Sequence, residues 1–144
     1  MELELIEFTH KNEICQTYEI YKHCMFMPTE EKFNKKIDQF LNDNSIKIFA
    51  CFNQGKIEGV IVVSFVEQSK IEIIGIAVDL SARGKGIGSY MINRVINNYR
   101  LHSVYAETDI DTVGFYQKND FNITEFYETY DGEAVVRYKC ELTK

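Results

Sequence analysis

The sequence predicts an α/β fold in which helices pack against a mixed sheet. The hydrophobic spacing changes repeatedly along the chain between the helical period and strand-like runs. These patterns follow one another in the order βααβββαβαββ. The 144 residues, of which 45% are hydrophobic and 26% charged, have the size and composition of one globular domain. We therefore expect a single domain over residues 1–144.

The composition argues against several functional classes. A net charge of −6 disfavours a nucleic-acid partner. No segment approaches the roughly 18 uninterrupted apolar residues of a membrane span, and the acidic N-terminus does not resemble a signal peptide. The 4 cysteines form no CxxC pair and the 3 histidines have no ligand spacing, so no metal is expected. We expect a cytoplasmic protein with reduced cysteines and no nucleic-acid or membrane partner.

The first third of the chain predicts one strand and two helices. Apolar residues alternate with glutamates over Leu3–Phe8, as in a half-buried strand. Asn12 is a predicted N-cap, and the helix after it carries on one face Ile14, Tyr18, Tyr21 and Met25. Pro28 ends that pattern, and Thr29 is the predicted cap of a second helix whose apolar stripe lies within residues 33–41.

Three strand patterns follow in the middle of the chain. They cover Ile46–Phe52, Ile57–Val66 and Lys70–Val78, and the first two are joined by a hairpin at Asn53–Lys56. Gly75 lies inside the third strand. Because an interior glycine weakens a strand, it predicts a bulge or a close approach of backbone at that point.

The last third predicts a helix, a strand, a helix and two strands. The first of these helices is amphipathic, with one side made of Ile87, Met91, Val95, Ile96 and Tyr99. Ser103–Glu107 is a predicted strand and Ile110–Lys118 a predicted helix. The final strands, near Phe121–Tyr127 and Ala134–Leu142, flank a turn at Asp131-Gly132. An exposed edge strand at the C-terminus would allow pairing across a homodimer.

The most informative stretch is Arg83-Gly84-Lys85-Gly86-Ile87-Gly88, between a strand and a helix. The first turn of a helix leaves backbone N–H groups unpaired, and the helix dipole makes that end positive. Glycines let a phosphate approach those N–H groups closely. The stretch matches neither GxxxxGK[ST] nor GxGxxG. It predicts an anion site, and the alternative is a tight turn that uses glycine for geometry alone.

Two motifs resemble those of the GNAT N-acetyltransferase superfamily. Ile76-Ala77-Val78, followed by Arg83-x-x-Gly86-x-Gly88, is similar to its acetyl-coenzyme A signature, Arg/Gln-x-x-Gly-x-Gly/Ala. The segment Phe115-Tyr116-Gln117-Lys118-Asn119-Asp120-Phe121 resembles its second landmark, Phe-Tyr-x-Lys-x-Gly-Phe. Asp120 stands where the family has glycine. Since aspartate tolerates the left-handed conformation, we expect the turn to be kept.

The resemblance implies a central sheet that splays apart and admits acetyl-CoA as co-substrate. The diphosphate would lie on the glycine-rich turn and the pantetheine arm beside the preceding strand. The implied cofactor-binding residues are Ile76, Ala77, Val78, Arg83, Gly84, Lys85, Gly86, Ile87, Gly88 and Ser89. A bulge near Gly75 would turn a backbone N–H towards the thioester carbonyl.

The resemblance also points to two catalytic residues. Glu72 lies six residues before Val78, where one branch of the family carries its general base, and the surrounding isoleucines would raise its pKa. The alternative is a solvent-facing strand glutamate. Tyr116 matches the tyrosine that protonates the departing thiolate in the family, and the alternative is a core aromatic.

The implied activity is transfer of an acetyl group from acetyl-CoA to a primary amine. The negative charge favours a small cationic acceptor, and a protein amine is also compatible. A coenzyme A-binding module without turnover and a general nucleotide-phosphate binder remain as alternatives. Glu107 and Asp109 are candidates for the acceptor end of the gap, although Asp109 also fits a helix cap. The resemblance implies that the segment Cys24–Pro28 and the last hairpin turn border the acceptor pocket, although Cys24–Pro28 also fits the core.

Overall fold

A computed structural model describes residues 2–144 and contains a single seven-stranded sheet in the order β1-β2-β3-β4-β5-β7-β6. The strands are β1 Leu3–Phe8, β2 Ile46–Asn53, β3 Lys56–Glu67, β4 Lys70–Val78, β5 Ser103–Thr108, β6 Asn122–Tyr130 and β7 Glu133–Thr143. The helices are α1 Lys11–Cys15, α2 Tyr18–Tyr21, α3 Glu30–Leu41, α4 Ile87–Tyr99 and α5 Val113–Lys118. Short 3₁₀ turns occupy Lys22–Cys24 and Leu80–Ala82. This is the mixed α/β architecture that the sequence predicts.

The sheet splays apart between β4 and β5. Every neighbouring pair of strands is antiparallel except this one, which is parallel. The pairing joins only Lys70–Glu72 to Ser103–Tyr105. Beyond these residues β4 continues to Val78 beside β3, and β5 continues to Thr108 beside β7. A gap therefore opens in the middle of the sheet, as the resemblance implies.

A hydrophobic core lies on each face of the sheet. One core joins the sheet to α4 and α5, with Ile71, Met91, Val95 and Val104 all at most 1% exposed. The other joins it to the helices before β2, with Ile14, Ile37, Val60 and Val62 all at most 2% exposed. Burying one such side chain contributes about 1.5–3 kcal/mol. The two cores fix the strands on either side of the gap.

The predicted first helix is broken into two. Its cap is His10 rather than Asn12, and α1 ends at Cys15. Thr17 is 1% exposed, and its hydroxyl donates a hydrogen bond to the Ile14 carbonyl at 2.7 Å. A threonine that bonds back to the preceding turn favours a bend over a straight helix. The bend brings α2 against the sheet at Gly75.

Two further predictions are corrected near the C-terminus. The helix predicted to start at Ile110 begins at Val113, because residues before it form a capped turn. The C-terminal strand β7 is not an edge strand, since it lies between β5 and β6. The edge is β6. The predicted turn between them is confirmed, with Asp131 and Gly132 both at positive φ.

Candidate active site in the splayed sheet

A cavity of about 1530 Å³ occupies the gap. Its walls come from the ends of β4 and β5, the turn before α4, the helix α5, the segment after α2 and the β6–β7 hairpin. The cavity brings together almost all the residues that the sequence singles out. It therefore defines the candidate active site.

The glycine-rich turn forms one end of the cavity. Gly84 and Gly86 have φ values of +80° and +79°, and a Cβ added to either would meet no atom within 4 Å. Gly86 is the N-cap of α4, so the N–H groups of the first helical turn face this open space. Gly88 has a different role, since a Cβ there would lie 2.8 Å from Phe115 Cε1. The turn thus offers an open backbone cradle with positive polarity.

The charged residues of the turn have different positions. Arg83 lines the cavity, and its Nε donates a hydrogen bond to the Val78 carbonyl at 3.3 Å, which ties the turn to the end of β4. Lys85 is exposed and does not line the cavity. The other nine predicted cofactor-binding residues line it, namely Ile76, Ala77, Val78, Arg83, Gly84, Gly86, Ile87, Gly88 and Ser89.

The predicted bulge in β4 is present. Val62 pairs with Gly75 and Val63 with Ile73, so Ile74 is the extra residue. A Cβ at Gly75 would lie 2.6 Å from Tyr21 Oη, and only glycine permits this approach of α2 to the strand. The bulge lies just past the last β4–β5 pair, and a bulge bends the strand that carries it.

Tyr116 lies in the wall of the cavity formed by α5. Its side chain is 3% exposed and packs edge-on between Phe115 and Phe121, with ring centroids 5.2 and 5.1 Å away. Burial, reinforced by the thiols of Cys140 and Cys24, raises the pKa of Tyr116 well above its ordinary value. The phenol is therefore protonated at neutral pH and available as a proton donor.

The turn after α5 is kept despite its unusual residue. Asp120 adopts φ +67°, the left-handed conformation expected for it. Asn119 donates a side-chain hydrogen bond to the Phe115 carbonyl at 2.8 Å. These contacts hold Phe121 in the core beside the Tyr116 ring.

The candidate carboxylates Glu72, Glu107 and Asp109 occupy different positions relative to the gap between β4 and β5. Glu72 belongs to the last pair before the gap, opposite Tyr105, whose hydroxyl donates to Glu72 Oε1 at 3.4 Å. It does not line the cavity. Glu107 and Asp109 do line it. Asp109 also caps the next turn, because its Oδ1 accepts hydrogen bonds at 3.1 Å from the backbone N–H groups of residues 111 and 112.

Cys24 and Phe26 place the segment after α2 in the cavity wall. Phe26 is 87% exposed, so it is not a core residue. The Cys24 thiol donates a hydrogen bond to the Tyr21 carbonyl at 3.2 Å, and burial of the sulfur raises the pKa of this thiol to about 11. Cys24 is open to the cavity yet protonated at neutral pH, and it is therefore a weak nucleophile.

The structure adds residues that the sequence does not single out. Tyr130, Val135 and Arg137, from the β6–β7 hairpin, line the cavity. The resemblance points to the turn of this hairpin, but no motif singles out these residues. Strand alternation adds that Val135 and Arg137 share one face of β7.

Residues 2–144 contain neither a metal-binding cluster nor a membrane-spanning helix. In this part of the chain, no three His, Cys, Asp or Glu side chains come close enough together to hold a metal ion. No helix within the same residues has the length and apolarity to cross a membrane.

The splayed mixed sheet with an open glycine cradle beside the gap is the architecture that the resemblance implies, and the family comparison agrees. The profile of the acetyltransferase (GNAT) family matches residues 14–121. The chain belongs to this family. A sequence comparison with curated proteins finds no significant match.

Solved structures support the same fold. A GNAT family acetyltransferase from Elizabethkingia anophelis with acetyl-CoA bound is 20% identical, with a TM-score of 0.71, over 99% of this chain and 98% of that chain. The ribosomal-protein-S18-alanine N-acetyltransferase from Escherichia coli is 16% identical, with a TM-score of 0.72, over 99% and 94%. A spermidine N-acetyltransferase mutant from Vibrio cholerae is 13% identical, with a TM-score of 0.73, over 98% and 93%. At these identities the likeness is one of fold.

Proposed function

We propose that this acetyltransferase moves the acetyl group of acetyl-CoA to the nitrogen of a primary amine. The observation that carries the proposal is the gap between β4 and β5, which joins the open cradle before α4 to the Tyr116 phenol within one cavity. A diphosphate at one end and a proton donor at the other fit a long thioester co-substrate that reacts at its tip.

The residues of the cradle fit the diphosphate of acetyl-CoA. Gly84 and Gly86 leave open space where a Cβ would stand, and the N–H groups of the first α4 turn are free to bind an anion. Arg83 adds positive charge beside them. Acetyl-CoA is bound in the solved Elizabethkingia anophelis relative, which supports the assignment by analogy.

The proposed transfer is a direct attack. The amine nitrogen attacks the thioester carbonyl carbon, so that a C–N bond forms, the C–S bond breaks and the electron pair stays on sulfur. Tyr116 gives its proton to that sulfur, and a base takes the proton of the amine. A backbone N–H at the β4 bulge would stabilise the oxyanion, and one such donor contributes about 2.7–4 kcal/mol.

Two carboxylates are proposed for the base. In this scheme Glu72 acts through a water molecule, because it lies outside the cavity wall and its carboxylate accepts a hydrogen bond from the Tyr105 hydroxyl. Glu107 lines the cavity and needs no such relay. Replacing each by glutamine and recording the rate against pH separates them, since only loss of the true base removes the acidic limb of the profile.

The test of this function is a thiol-release assay with acetyl-CoA and a panel of primary amines, with each product identified by its mass. We expect acetylated amine and free coenzyme A in equal amounts. The position of Glu72 outside the cavity wall favours a second candidate function, in which the protein binds coenzyme A without catalysing a transfer. That candidate predicts calorimetric binding of acetyl-CoA, with no product from any amine.

A further inference from the structure

Arg137 has no partner that accounts for its position. It lines the cavity from β7, and its Nε is buried with no hydrogen-bond acceptor among residues 2–144. The side chain takes part in none of the ion pairs in this part of the chain. A buried N–H without a partner is costly, and a charged one more so. The guanidinium therefore fits a partner that arrives from the cavity.

Arg137 lies on the face of the sheet opposite the cradle. Tyr138 and Cys140 pack into the core that contains α4, so the alternation of β7 places Arg137 on the other face. Ile87, beside the cradle, belongs to that same α4 core. A diphosphate on the cradle and an anion on Arg137 would thus lie on opposite sides of the sheet. The ligand of Arg137 is a different group from the diphosphate.

The groups around Arg137 suit an acceptor that carries both an ammonium group and an oxyanion. The hydrogen bond to Glu128 raises the pKa of the Tyr130 phenol, and the charges of Arg137 and Glu107 act on this phenol in opposite directions. Glu107 pairs with Lys139 across β5 and β7, so it lies on the same face as Arg137, and both residues line the cavity. Phe26, Tyr130 and Val135 add exposed apolar surface to the wall. This compartment offers a carboxylate for an ammonium group and a guanidinium for an oxyanion.

We infer that Arg137 determines specificity by binding an oxyanion of the acceptor. The acceptor is then an amine that also carries a carboxylate or a phosphate, and it is not a simple polyamine. This inference rests on the proposed function, because it assigns the second substrate of that reaction. Guanidinium is suited to the role, since its planar fork matches both oxyanions.

The test is an initial-rate comparison of four acceptor types with acetyl-CoA: L-amino acids, the corresponding amino-acid amides, phosphoethanolamine and spermidine. We expect the wild type to prefer a carboxylate or a phosphate over the amide by roughly 10- to 100-fold in kcat/KM. The preferred acceptor, either a carboxylate or a phosphate, identifies the oxyanion that Arg137 binds. Equal or better use of the amide or of spermidine would overturn the inference.

Three variants test whether Arg137 causes the preference for anionic acceptors. Arg137→Gln should remove it by raising KM for the anionic acceptor, while the amide rate and the acetyl-CoA affinity stay unchanged. Arg137→Lys should restore part of it. Arg94→Gln is the matched control, because Arg94 is exposed on α4 and lies outside the cavity wall. A loss in Arg137→Gln that is equal for all acceptors would contradict the assignment.

Failure of the proposed function is distinguished by a binding measurement. If no amine is acetylated, the transfer proposal fails, and calorimetry of the same acceptors on the coenzyme A complex decides the role of Arg137. Binding of an anionic amine that Arg137→Gln weakens roughly 10-fold or more would uphold the subsite. Absence of binding, or binding that Arg137→Gln leaves unchanged, would overturn it.

Discussion

Tyr116 is the residue whose chemistry depends most on its surroundings. The ring is buried between two phenylalanines, and the phenol lines the cavity with a raised pKa. A phenol with a raised pKa holds its proton across the neutral range but is a weaker acid than an exposed tyrosine, so in the proposed mechanism it donates only as negative charge develops on the departing sulfur. In the proposed mechanism one side chain thus combines core packing with proton transfer.

Tyr116→Phe removes the proton donor and keeps the ring. We expect kcat to fall roughly 10²- to 10⁴-fold, while acetyl-CoA binds with unchanged affinity in calorimetry. Tyr90→Phe is the control, because the Tyr90 hydroxyl bonds the Leu3 carbonyl at 2.9 Å, away from the cavity wall, and its loss should leave kcat unaltered. Full activity of the Tyr116 variant would remove this residue from the mechanism.

Single residues also show what sequence reasoning can and cannot reach. The cradle glycines and Asp120 are predictable, since local motifs and φ preferences depend on near neighbours. The position of Glu72 is not, because the bulge near Gly75 and the splay are predicted but the last residue pair before the splay depends on pairing between distant strands. Arg137 is missed because the resemblance points only to the turn of its hairpin, and no motif singles out a residue in β7.

At the scale of elements, the turn before α4 acts as a unit. Gly84 and Gly86 are at positive φ and in open space, and a positive φ is costly for any residue with a Cβ. No contact that either Cβ would make inside the protein requires that space. The proposed function attributes the open space to the diphosphate of acetyl-CoA.

Gly86→Ala tests this explanation against strain alone. We expect the variant to lose about 1–2 kcal/mol of stability and, in addition, most of its affinity for acetyl-CoA. Gly55→Ala is the matched control, since Gly55 has φ +83°, equally open surroundings and a position in the β2–β3 hairpin outside the cavity wall. It should lose similar stability in urea unfolding and keep its affinity. Equal affinities in the two variants would contradict a binding role for the turn.

The contact of α2 with the bulge is a second element-scale feature. It depends on Thr17, where the predicted continuous helix is broken, and on the absence of a Cβ at Gly75. Helical spacing predicts the apolar face of this segment correctly. It does not predict the break, because the break follows from a side-chain hydrogen bond and from packing on the sheet.

Gly75→Ala should be destabilising by about 1–3 kcal/mol, because the new Cβ would overlap the Tyr21 ring. Gly114→Ala is the comparison, as that glycine lies in α5 with no atom within 4 Å of an added Cβ. It should be neutral or stabilising by up to about 1 kcal/mol. Urea unfolding measures both, and a neutral Gly75→Ala would mean that α2 does not pack on the bulge as described.

At the scale of the whole molecule, buried thiols and phenols in both cores link stability to pH. Cys51 and Cys140 are 0% exposed, and burial raises the pKa of each thiol from its ordinary value near 9.0 to about 11. Burial also raises the pKa values of Tyr21 and Tyr116 above 10.0. In the folded state these groups hold their protons more tightly than in the unfolded chain.

The stability of the protein should therefore fall on the alkaline side. The thiol contribution is fully present below about pH 9 and is lost as the pH rises through about 11. The phenol contribution is lost above about pH 10. The free energy of unfolding in urea should decrease steadily between these limits, and a flat or rising curve would contradict the burial of these groups.

The measurement that tests the central claim most directly is a crystal structure of the protein with acetyl-CoA. The account predicts the diphosphate on the N–H groups of the turn at residues 83–88, the pantetheine arm in the gap beside β4 and the thioester sulfur within hydrogen-bonding distance of Tyr116 Oη. A diphosphate bound elsewhere, or an arm that stays outside the gap, would contradict it.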